Sequence, residues 1–158
     1  MKGAIVTYDI KLKDIEPTDV VGLTFKTSPD SISDEGGKAM NHLLEGLNKG
    51  GVAPAGPPRW VYHEMDEKSW TIEACLPVTG VSSAPEGLTL RRFEGGRGAT
   101  ALHVGPYDEL GMAYRELEEW IEKQGLTPAG PGFDIYLNDP TEVKDPQRFE
   151  TEVVLPVK

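Results

Sequence analysis

The sequence has one cysteine, Cys75, in 158 residues. That excludes an internal disulfide framework and a multi-cysteine metal site. It is also short of positive charge, with 16 Lys and Arg against 26 Asp and Glu and a formal net charge of −10. Nucleic-acid surfaces and anionic membranes both call for a basic face, so neither partner is expected. No apolar run approaches the roughly 20 residues of a membrane span. The opening Met1-Lys2-Gly3-Ala4-Ile5-Val6 meets Thr7, Tyr8 and Asp9 too soon for a secretory leader. A cytoplasmic location is the expectation. The three histidines, His42, His63 and His103, lie far apart without ligand spacing, so no metal and no other cofactor is expected.

What is present is a pattern written twice. In Phe149-Glu150-Thr151-Glu152-Val153-Val154-Leu155-Pro156-Val157, the residues Phe149, Thr151, Val153, Leu155 and Val157 share one face at period two. Glu152 lies on the other face, in mid-strand. Thr71 to Val78 writes the same strand earlier: Glu152 stands 79 residues after Glu73, and Pro156 the same distance after Pro77. Pro128-Ala129-Gly130-Pro131 repeats Pro54-Ala55-Gly56-Pro57 at an offset of 74, and Tyr136 echoes Tyr62. The change of offset marks a five-residue insertion in the last hairpin, in the loop that begins Asn138-Asp139-Pro140.

Between these strands lie two helical stripes. Met40, Leu43, Leu44 and Leu47 form one, capped by Ser31 or Ser33 and ended by Gly50-Gly51. Gly36-Gly37 predicts a loose start to this helix. Leu110, Tyr114, Leu117 and Ile121 form the other, opened by Gly105-Pro106-Tyr107 and closed by Gly125 as a C-cap. The predicted architecture is α+β: one domain over 1–158, built as a pseudo-twofold tandem repeat of strand-helix-strand-strand modules. Repeat one covers 4–78 and repeat two 88–157, with antiparallel sheets and helices flanking a central cleft.

In Phe133-Asp134-Ile135-Tyr136-Leu137, the odd positions match a core face, which puts Asp134 and Tyr136 on the opposite one. Trp60, Tyr62 and Glu64 take the same places in the first repeat. The candidate constellation is therefore Glu152 and Glu73 with Trp60, Tyr62 and Tyr136. Aromatic faces bind flat apolar or cationic ligands, and a partly desolvated carboxylate supplies the countercharge. The plain alternative is a solvated face whose acids only keep the protein soluble.

Three stretches carry a family resemblance. They are His103-Val104-Gly105-Pro106-Tyr107-Asp108-Glu109-Leu110 with Glu119-Trp120, the run from Pro128 to Pro140, and Glu150 to Val157. In this order they resemble the GyrI-like effector-binding domain of AraC-type and other multidrug-sensing bacterial regulators, strongly over 88–157 and more weakly before. The resemblance implies two fused strand-helix-strand-strand modules around a groove for lipophilic, often cationic, aromatic compounds. It places the family's characteristic acid at Glu152 and its aromatic positions at Tyr136, Tyr107 and Trp120. Trp60 and Tyr62 come from the repeat alignment instead. Family regulators carry a fused helix-turn-helix domain, for which this chain has no residues left over, so it looks like the stand-alone branch.

Three functions compete. The first is a binding module for hydrophobic or cationic aromatic small molecules, with Glu152 as countercharge in an aromatic cleft. The second is suggested by stand-alone relatives that are similar to hydrolases opening the cyclopropane of DNA-alkylating toxins. Glu152 would then be the catalytic base, with a tyrosine hydroxyl polarising the substrate carbonyl. The third is a protein-interaction role, such as topoisomerase inhibition, to which the family's name points. The binding reading ranks first, because one acid in a cleft satisfies it.

Overall fold

The computed structural model describes residues 8–139 and 142–158. Ile5 and Val6, at the start of the predicted first repeat, and Pro140 of the predicted loop lie outside them. In chain order the elements are β1 (Lys11–Ile15), β2 (Thr18–Thr27), α1 (Ile32–Lys49), β3 (Arg59–Met65), β4 (Trp70–Val78), β5 (Thr89–Phe93), β6 (Gly96–Val104), α2 (Leu110–Lys123), β7 (Phe133–Tyr136) and β8 (Glu150–Val157). A short 3₁₀ turn, Tyr107–Glu109, leads into α2. The chain divides into two compact units, one of Glu16–Gly95 and one of residues up to Ile15 with Gly96–Lys158. Each is an antiparallel four-stranded sheet with a helix on one face, so the protein is α+β. No helix among the described residues is long and apolar enough to cross a membrane.

In the unit Glu16–Gly95 the strand order is β3-β4-β2-β5. Val21, Ala74, Leu76 and Val78 from the sheet pack under Leu43 and Leu47 of α1. The helix stripe is rotated from the predicted one: Gly36, Ala39, Leu43 and Leu47 are buried, while Leu44 is 45% exposed. The reason is Trp60. Its ring lies on the backbone of Gly36, where a Cβ would stand 2.3 Å from the ring. Gly36 is therefore the contact that seats α1, and the helix runs unbroken from Ile32 through both glycines. Gly51 follows the helix in the left-handed region (φ +68°), as the predicted stop requires.

In the other unit the order is β1-β6-β8-β7. Ala99, Ala101, Val153 and Val157 pack under Leu110, Ala113, Leu117 and Ile121 of α2. Gly125 closes α2 with φ +71° and donates its N–H to the Glu122 carbonyl. Two glycines in three residues, Gly96 and Gly98, would suit a flexible turn. They are instead the start of β6, because Ile15 and Val154 close over Gly98 and leave no room for a side chain.

Pairing also cuts the chain differently from the predicted repeats. β1 pairs with β6 and β5 pairs with β2, so the first strand of each predicted repeat joins the sheet of the other half. Alternating hydrophobicity identifies a strand and its faces; it does not name the partner, which long-range packing decides.

Candidate ligand-binding site

Strand register decides what each sheet shows to its helix. In the unit containing α2, Asp134 pairs with Val153 and Tyr136 with Thr151. Directly opposed residues share a face, and Val153 lies in the core under α2. Asp134 and Tyr136 therefore face the helix. Asp134 has no exposed surface. Its Oδ1 accepts from the Tyr114 hydroxyl of α2 at 2.5 Å, and its Oδ2 from the Tyr136 hydroxyl at 3.3 Å. A carboxyl group buried in this position needs such partners, since burying it without hydrogen bonds is costly.

A cluster of rings adjoins Tyr136, one of the two donors. Tyr107 meets Tyr136 edge-on at 5.2 Å and 71°, and stacks on Phe149 at 4.8 Å and 23°. Burial, and then the charge of Asp139, push the Tyr107 phenol above its ordinary pKa, so it stays a neutral donor. Gly132, just before β7, makes room: a Cβ there would lie 2.6 Å from Leu155 Cδ2 and 3.2 Å from the Tyr114 ring. Trp120 is half-buried and packs against the same core.

Glu152 is not part of this cluster. It pairs with Leu102 on one side and Ile135 on the other, on the face away from α2. Its carboxylate bonds Lys13 Nζ at 2.6 Å, with 21% of the side chain exposed. The predicted grouping of Glu152 with Tyr136 is thus corrected: the sheet separates them. The physical reason is that Phe133, 1% exposed, shares the face away from α2 with Val154, 2% exposed. Each face of β7 carries a fully covered residue, Phe133 on one and Asp134 on the other, so its alternation could not say which one meets the helix.

The other unit shows the same division. Trp60 pairs with Ala74 and Tyr62 with Ile72, and Trp60 packs into the core beneath α1. The Trp60 indole N–H donates to Met40 Sδ at 3.3 Å, and Phe25 meets the ring edge-on at 5.7 Å. Glu73 points to the opposite face, apart from the rings with which the sequence groups it. It is 4% exposed. Arg91 grips it with two bonds, Nε to Oε2 at 2.8 Å and Nη2 to Oε1 at 2.7 Å, and His63 Nε2 lies 2.8 Å from Oε1. Burial pushes the Glu73 carboxyl up, but the hydrogen bonds and charges of Arg91 and His63 outweigh it and leave the pKa below the ordinary value. Glu73 is a structural ion pair, with its charge already answered.

An open groove of about 740 Å³ also lies in this unit, between Leu23 and Phe25 of β2 and Asp34, Lys38 and His42 of α1. It contains none of the sequence-predicted residues. Among the described residues, no group of three or more His, Cys, Asp or Glu is placed to hold a metal.

The model of the GyrI-like small molecule binding domain matches residues 8–158. The chain belongs to this family. As a GyrI-like domain it is a small-molecule binding module. No curated protein matches it. Among solved structures, the EcmrR C-terminal domain superposes with a TM-score of 0.87 at 23% identity, covering 97% of this chain and 99% of that one. In the EcmrR–DNA complex the TM-score is 0.86 at 24% identity; the match covers 96% of this chain, which spans 57% of the EcmrR chain. SAV2435 bound to tetraphenylphosphonium superposes with a TM-score of 0.66 at 15% identity, covering 97% of this chain and 94% of that one. At these identities the structural matches speak for the fold alone.

Asp134 is the residue that sequence reasoning missed. The signal that could have found it is local: Asp134 and Tyr136 share a face whichever way β7 is turned, and Tyr114 stands on the helix that covers one of them.

Proposed function

We propose that this GyrI-like domain binds lipophilic aromatic cations at the Tyr107–Tyr136 rings, with Asp134 as the countercharge beneath them. The observation that carries the reading is the fully buried Asp134 carboxylate held by two phenol hydroxyls. Ring faces attract cations, by about 0.5–2 kcal/mol depending on desolvation. A carboxylate behind the rings adds an attraction that little water screens. Tyr107 and Tyr136 are half-buried, so an entering ligand meets the rings first. Tyr136 holds Asp134 at 3.3 Å against 2.5 Å for Tyr114. Tyr136 is therefore the donor that yields more cheaply when a ligand needs the carboxylate. SAV2435, whose fold this chain shares, is bound to a lipophilic aromatic cation, which supports the ligand class.

Titration with tetraphenylphosphonium, followed by calorimetry, tests the reading on wild type, Asp134→Asn and Glu152→Gln. Asp134→Asn is expected to weaken binding at least about tenfold, the equivalent of roughly 1.4 kcal/mol of lost charge attraction. Glu152→Gln is expected to bind as wild type. Equal affinity in wild type and Asp134→Asn, with both folded by circular dichroism, would overturn it.

A further inference from the structure

The ring site depends on how Tyr107 is presented, and that presentation runs through a buried histidine. His103 lies one residue before the end of β6 and is 2% exposed. Its Nε2 is 3.1 Å from the Pro106 carbonyl oxygen, and its Nδ1 is 2.8 Å from the Tyr8 hydroxyl. A carbonyl only accepts, so Nε2 carries the proton. In the neutral ring Nδ1 then holds a lone pair, and the Tyr8 hydroxyl donates to it. We propose that His103 is a positioning residue of the ligand site: by bridging Tyr8 and Pro106 it fixes the turn that sets Tyr107 against Tyr136 and Phe149. This rests on the ring site being the binding site.

The turn it fixes is one that needs fixing. Gly105 has φ +141°, a conformation that side chains disfavour, and its N–H donates to the Phe149 carbonyl at 2.8 Å. The backbone folds back over the imidazole: a Cβ at Gly105 would lie 3.5 Å from His103 Nε2. Pro106 has no N–H of its own, and its carbonyl takes both the His103 bond and the Glu109 N–H at 3.1 Å. Tyr107 is the next residue. At Pro106 itself the backbone therefore offers only a carbonyl, and His103 bonds it.

The other end of the bridge is anchored as well. The Tyr8 N–H donates to Glu116 Oε1 of α2 at 3.1 Å, and the Tyr8 ring lies 5.9 Å from the His103 ring, tilted by 37°. Burial, and the charges of Glu116 and Glu109, push the Tyr8 phenol above its ordinary pKa. It remains a donor across the physiological range. The bridge thus joins the carbonyl one residue before Tyr107 to a residue whose backbone N–H is bonded to the helix above it.

Amide hydrogen exchange separates this role from general stability. Tyr8→Phe keeps the ring and removes only the hydroxyl, and is expected to speed exchange about tenfold at Gly105 and Glu109, whose amides are bonded in this turn, leaving Leu117 and Ile121 unchanged. His103→Leu is expected to do the same. His103→Gln can still donate to Pro106 and should restore most of the protection. In parallel, Tyr8→Phe should weaken tetraphenylphosphonium binding several-fold, about one hydrogen bond's worth. Unchanged rates at Gly105 and Glu109, acceleration spread evenly over the unit, or wild-type affinity in Tyr8→Phe despite faster local exchange would each overturn the positioning role. Failure of the wild type to bind the probe at all would instead remove the ring-site reading, and with it the ligand arm; the exchange pattern would still decide whether His103 fixes the turn.

Discussion

The Tyr114 hydroxyl, on α2, donates to Asp134 Oδ1, on β7, at 2.5 Å. This bond ties a fully buried carboxyl group to the helix above it, on the same side of the sheet as the Tyr136 ring. The two sequence-predicted acids, Glu73 and Glu152, both lie on faces turned away from their helices and are both ion-paired. The first prediction concerns Glu152. Its pair with Lys13 leaves 52% of the lysine side chain exposed, so Glu152→Gln should cost no more than about 1 kcal/mol in denaturant unfolding. A larger loss would mean that the pair carries part of the fold.

Glu73 should behave differently. Its folded pKa is depressed, so its stabilising contribution is complete above its unfolded pKa and fades as pH falls through the lower folded value. Breaking a buried pair costs about 3–5 kcal/mol, and the partial exposure of Arg91, 39%, lowers the expectation for Glu73→Gln to about 2 kcal/mol. Unfolding measured against pH should show this gap near neutrality and its disappearance in acid, below the folded pKa. A gap that does not depend on pH would contradict the ion-pair account.

Adjacent glycines in α1 should respond with opposite signs. A Cβ at Gly36 would stand 2.3 Å from the Trp60 ring, whereas Gly37 has nothing within 4 Å. Gly36→Ala should destabilise by about 1–3 kcal/mol through overpacking and shift the Trp60 fluorescence. Gly37→Ala should stabilise by up to about 1 kcal/mol. Thermal melts of the two variants check the pair, and equal effects would sink it.

Cys75 is fully buried, and burial, with the nearby Glu73 charge, pushes its thiol up to about 12 against the opposing Arg91 and Arg59 charges. The reactive thiolate is therefore scarce as well as shielded. Alkylation of the native protein should proceed only as fast as it opens, and should rise to ordinary thiol rates in denaturant. Rapid labelling of the folded protein would contradict the packing described for β4.

Much of this was legible in the sequence because the patterns involved are local. The stripe Leu110, Leu117, Ile121 marks α2, the glycines at 51 and 125 stop the two helices, and Glu73 and Glu152 each fall inside a strand, β4 and β8. What escaped was set by contacts distant in the chain. Phe133 and Ile135 look like core and are largely covered, but on the face away from α2, so a correct strand was turned the wrong way. The Gly36 that appears to loosen a helix is the seat of a tryptophan 24 positions on. No periodicity announces that β1 will pair with β6.

The central claim is that a cationic aromatic ligand meets the Asp134 face and not the Glu152 face. Chemical-shift mapping during a tetraphenylphosphonium titration reads this directly. Shifts are predicted to concentrate at Tyr107, Asp134 and Tyr136 and to leave Lys13 and Glu152 in place. Shifts gathered at Lys13 and Glu152, with the rings undisturbed, would contradict it.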